Sequence, residues 1–74
     1  MKLKEQRLKA GLSQSQLANA SGVKLRTIQQ YECGQRSLNG AGLDILCSLA
    51  LAIGCTVFDI LESDELIEKL KNTT

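Results

Sequence analysis

The sequence predicts an all-α fold, five helices followed by a short extra C-terminal helix, on three observations. No proline interrupts the chain. Leu, Ala, Gln, Lys and Glu dominate it, and all are good helix formers. No stretch alternates apolar and polar residues over the length of a strand. Seventy-four residues make one domain that buries only about 60% of its unfolded surface, so the core is small. With Tyr31 and Phe58 the only aromatics, that core must be Leu, Ile, Val and Ala.

Residues 2–10 form the first expected helix, with Leu3 and Leu8 as its apolar anchors and Gly11 suited to the left-handed position that ends it. Ser13 opens the second helix (residues 14–20), and Gln16 three places on completes a capping box. Leu17 and Ala18 face inward there, and Gly22 supplies the positive φ of the next turn. Val23, a lone apolar residue in that turn, is expected to plug into the core.

The third helix covers residues 24–33. At about 100° per residue, Ile28 and Tyr31 share the inner side, while Arg26, Gln29, Gln30 and Cys33 fall opposite and Leu25 lies at the margin. Arg can bridge O6 and N7 of guanine, and Gln can bridge N6 and N7 of adenine, so this face has the chemistry for base edges. Most Arg and Gln residues simply lie on solvated faces, and an isolated helix of this kind would be read that way. The preceding helix and glycine turn, at residues 13–33 together, change that reading.

Residues 35–42 form a loop rich in turn residues, where Gly40 and Gly42 are expected to let the backbone run close to DNA or to a partner. The fourth helix (residues 43–53) is apolar nearly all round and needs covering on more than one side, either as the centre of the core or in a dimer contact. Gly54 ends it. Thr56 or Cys55 caps a short fifth helix containing Val57, Phe58, Ile60 and Leu61. Ser63, Asp64 and Glu65 open the last helix of a C-terminal extension, residues 63–74, which is expected either to cover the core or to dimerise.

The net charge of +1 hides a strong polarity. Residues 1–36 carry seven cations against two carboxylates, a net +5, and residues 37–74 carry two against six, a net −4. One end is therefore suited to a polyanion and the other is not. No apolar run is long enough to span a membrane and the N-terminus lacks the apolar region of a signal peptide, so a cytoplasmic location is expected. Cys33, Cys47 and Cys55 lack a CxxC pair and any His, which argues against a disulfide framework and a metal site. Enzymatic activity is disfavoured too: the chain has no His and no Cys with a base beside it. No cofactor and no small-molecule ligand is expected.

The string Gly11-Leu12-Ser13-Gln14, Leu17-Ala18, Gly22-Val23, Thr27-Ile28, and Glu32 with Gly34 resembles the lambdoid phage repressor and Cro type of helix-turn-helix domain, the XRE-like family of bacterial and phage regulators. The residues LDILCSLALAIGCTVFDIL resemble that family's fourth and fifth helices, so the likeness covers residues 2–62 and implies a lambda-repressor-like domain over residues 1–62. It implies a transcriptional regulator, most simply a repressor, that binds a pseudo-palindromic operator as a homodimer. Carried over by position, it places Leu25, Arg26, Gln29 and Gln30 on bases and Gln14, Lys24, Thr27 and Arg36 on phosphates. It also pairs Arg7 with Glu32, two residues that the sequence alone would leave as surface charges. An antitoxin, a restriction-modification controller, or an interaction module that does not bind DNA would suit the same fold.

The chain departs from the family pattern at three places. Ser21 stands for a large apolar residue before the turn, Gln6 for an apolar residue in the first helix, with Leu8 as the expected compensation. Lys24 occupies an N-cap place where Ser, Thr or Asp would be usual, and a lysine there suits a phosphate better than it suits the positive end of a helix. Cys33, on the same side as Arg26, raises the further idea that its oxidation disturbs docking, which would need a lowered thiol pKa.

Overall fold

The computed structural model describes residues 1–61; the expected C-terminal helix of residues 63–74 lies outside the described residues. Five α-helices and a 3-10 turn follow in order, with no strand among the described residues. They are α1 (Lys2–Lys9), α2 (Gln14–Ser21), α3 (Leu25–Glu32), the turn Leu38–Gly40, α4 (Leu43–Ile53) and α5 (Val57–Ile60). α2 packs against both α3 and α4, and α5 closes the other side between α1 and α4.

Local chemistry accounts for the boundaries. The Ser13 hydroxyl accepts the Gln16 amide at 3.0 Å, and the Gln16 side chain accepts the Ser13 amide at 2.8 Å. Gly22, at φ 76°, ends α2 and turns the chain into α3. Ser21, where a large apolar residue was missing, uses its hydroxyl to accept the Val23 amide at 3.1 Å. Val23 packs against the core beside that bond. Gly40 and Gly42 do not use positive φ, so the loop they flank needs no glycine conformation there.

The core is Leu3, Leu17, Ile28, Tyr31, Leu38, Leu46, Leu49, Ala50, Ile60 and Leu61. One expectation about it fails. Leu8 is 58% exposed and anchors nothing; the inward place on α1 belongs to Arg7, one turn after Leu3 and so about 40° from it, whereas Leu8 lies about 140° away. Leu8 therefore offers no compensation for Gln6. Conversely Leu38, placed by its surroundings in a polar loop, is buried.

α4 buries Leu46, Leu49 and Ala50 and leaves Leu43, Cys47 and Leu51 exposed, so it is covered on one side rather than all round. Thr56, not Cys55, caps α5. The Asp59 carboxylate accepts the Thr56 amide at 2.9 Å and the Thr56 hydroxyl at 3.0 Å, and those two bonds, the amide first, hold it below the usual carboxylate range. A carboxylate with a lowered folded pKa adds stability that is complete above its unfolded value, about 3.9, and is lost as pH falls through the lowered one. Asp59→Asn is therefore expected to lower the urea midpoint at neutral pH and to flatten its decline between neutral and strongly acidic pH. A parallel decline in both proteins would show that these bonds do not contribute.

A candidate nucleic-acid interface

The site begins with a buried charge. Arg7 Nε donates to Glu32 Oε2 at 2.8 Å and a terminal guanidinium nitrogen donates to Glu32 Oε1 at 2.9 Å, a two-pronged pair between α1 and the end of α3. The third nitrogen donates to the Leu12 carbonyl at 2.8 Å. The Glu32 bonds raise the guanidinium pKa above its ordinary value, against the effect of burial. Gln14, expected on a phosphate, points its amide into this cluster and donates to Glu32 Oε1 at 3.2 Å. One of its two N–H groups is thereby used and the other is left for an outside acceptor.

With Ile28 and Tyr31 seated in the core and Glu32 tied to Arg7, the orientation of α3 is fixed. Arg26 and Gln29 are then exposed, Leu25 is 37% exposed, and Gln30 and Thr27 are half-buried. The four expected base-reading residues thus occupy one outward strip, with Gln30 at its inner edge. Cys33 follows them, exposed, its thiol 3.7 Å from the Gln30 carbonyl.

That carbonyl also accepts the amides of Gln35 at 2.9 Å and Arg36 at 3.1 Å, which folds the chain after α3 back along its last turn. The Arg36 amide is thereby held at the end of α3. Lys24, Thr27 and Arg36 line one open groove with Ser21, Asp44, Ile45 and Ser48, while Gln14 does not reach it. The phosphate set is therefore divided, three residues at the groove and one at the ion pair. Asp44 was missed in the sequence as part of this surface. Its place in the first turn of a helix explains it locally, and only the packing of the helices brings it into one groove with Lys24.

α3 starts without a side-chain cap: Lys24 sits at the N-cap with extended backbone and makes no capping bond. The first-turn amides are left with the positive end of the helix dipole. The capping box on α2 likewise satisfies the amides of Ser13 and Gln16 and leaves those of Gln14 and Ser15. Both helices thus keep some first-turn amides that no capping bond takes, and at α3 the N-cap residue is itself the cation Lys24.

A glycine turn between two eight-residue helices, the second projecting Arg and Gln from a buried footing, defines a helix-turn-helix DNA-binding domain. The sequence matches the Helix-turn-helix family over residues 3–60, from α1 to the end of α5. The chain belongs to this family, in its phage repressor and Cro (XRE-like) form, and is a DNA-binding regulator of that general kind. No curated protein and no solved structure gives a significant match. Among the described residues no helix is long and apolar enough to cross a membrane.

Proposed function

We propose that this chain is a transcriptional repressor that binds a pseudo-palindromic operator as a homodimer. It lays α3 of each copy in successive major grooves about 34 Å apart. The observation that carries this reading is the exposed strip of Leu25, Arg26 and Gln29, with Gln30 at its edge, set beside a groove lined by Lys24, Thr27 and Arg36. Arg26 reads guanine and Gln30 adenine, with Gln29 in reach of a second base and Leu25 against a thymine methyl. Lys24, Thr27, Arg36 and the free N–H of Gln14 hold phosphates and set the register. Occupancy of a promoter then blocks transcription in the cytoplasm without any catalytic step.

Selection of bound sites from a random duplex pool tests the reading at once. Paired half-sites about one helical turn apart, each with a guanine and an adenine, are expected; an unenriched pool would end it. Arg26→Ala is expected to cost about 1–3 kcal/mol and to relax one base pair per half-site. Lys24→Asp should separate the two roles of that position. It provides α3 with an N-cap, stabilising the fold by about 1 kcal/mol, while it weakens binding to every sequence and reduces the salt slope by about one. Unchanged affinity alongside the gain in stability would remove Lys24 from the phosphate set.

A further inference from the structure

The groove beside α3 contains a charge that a phosphate-binding surface does not need. Asp44 lines it together with Lys24, Thr27, Arg36 and Ser48. It is exposed, and neither it nor Lys24 nor Arg36 makes an ion pair within 4 Å among the described residues. Its charge is therefore not cancelled by a direct contact. A phosphate entering the groove would meet two cations and this carboxylate in the same lining.

We infer that Asp44 is an electrostatic brake on backbone binding, a residue that lowers affinity for any DNA so that base contacts decide whether the protein stays bound. This rests on the reading of the groove as a phosphate site. Sequence-independent affinity comes from phosphate neutralisation, and it must stay weak at physiological salt if random DNA is not to hold the protein. A carboxylate beside the phosphate subtracts from that attraction without touching a base. The effect is local, because charges further than about 10 Å apart are largely screened at 0.1 M salt.

Asp44 has another local role, since a carboxylate in the first turn of α4 favours the helix dipole. The two roles predict opposite signs. Loss of the helix contribution lowers stability, whereas loss of the brake raises affinity.

The test measures binding of the full chain and of Asp44→Asn to a random duplex and to a selected operator duplex, from low to moderate salt. Asp44→Asn is expected to tighten both by roughly fivefold at low salt, with the gain fading as salt rises. Ser48→Asp, which places a second carboxylate in the groove, is expected to weaken both. At about 0.1 M salt, where charges beyond about 10 Å are screened, Glu5→Gln, an equal change in net charge at an exposed position on α1 outside the groove, should leave both unchanged. If Asp44→Asn binds like the parent, or Glu5→Gln produces the same gain, the brake is excluded. Failure of the parent chain to bind any duplex at low salt would instead remove the phosphate reading itself, and the inference with it.

Discussion

Arg7→Met is expected to destabilise the domain by about 3–5 kcal/mol, enough to leave a chain of this size largely unfolded. The reason is what remains behind. Glu32 has a side chain only 4% exposed, and it would lose both guanidinium bonds while still carrying its charge. The Leu12 carbonyl would lose its donor as well. Gln14 alone, at 3.2 Å, cannot replace the cation. Replacing both partners, Arg7→Met with Glu32→Leu, removes the buried charge and should recover much of the loss. Recovery will be incomplete because Leu12 and Gln14 still lack partners. Urea unfolding followed by helix circular dichroism measures all three proteins. An Arg7→Met midpoint close to that of the parent would show the pair to be neutral for stability.

Leu38→Ala is the second large effect, about 2–5 kcal/mol, the usual range for truncating a buried leucine. Leu38 is 2% exposed although it lies in the connection between α3 and α4. It holds the segment that carries Arg36 against the core, so its loss should also weaken the proposed hold on phosphate in whatever protein stays folded. Leu51→Ala is the matched control: at 81% exposed on α4 it should change stability by under about 0.5 kcal/mol. Equal losses in the two variants would mean that the connection is not anchored through Leu38.

These two residues mark where the sequence was hard to read. α4 was legible to its ends because an apolar run is bounded by Gly42 and Gly54, and the start of α2 was legible because Ser13 and Gln16 form a local device. Such signals lie within a few residues of one another. Arg7 and Leu8 are a different matter. Hydropathy ranks the leucine as the inward residue, yet the helix phase set by Leu3 turns Arg7 inward and Leu8 out. The charge is tolerable only because Glu32 arrives from 25 positions away, which no local pattern records. Without the family resemblance both would have been left on the surface.

Leu38 illustrates the converse. Val23 is legible as a plug because it stands alone in a short turn between two helices. Leu38 also lies in a loop, residues 35–42, but its turn-rich neighbours carry no local signal that it belongs to the core. On the candidate site, the phase of α3 placed Arg26 and Gln29 outward correctly, since Ile28 and Tyr31 define its inner side. The engagement of Gln14 with Glu32 and the position of Asp44 depend on how helices pack, and sequence spacing has no access to either.

The Gln30 carbonyl, which takes the amides of Gln35 and Arg36, makes the reading helix and the loop behind it one mechanical piece. Within the proposed complex it works as a caliper of fixed gap, with Arg26 as one jaw and Arg36 as the other. A caliper cannot adjust to the object it measures. Any mismatch between groove width and that gap must be taken up by the duplex, through steps that bend or narrow easily. Operators should therefore be ranked partly by base pairs that no side chain touches.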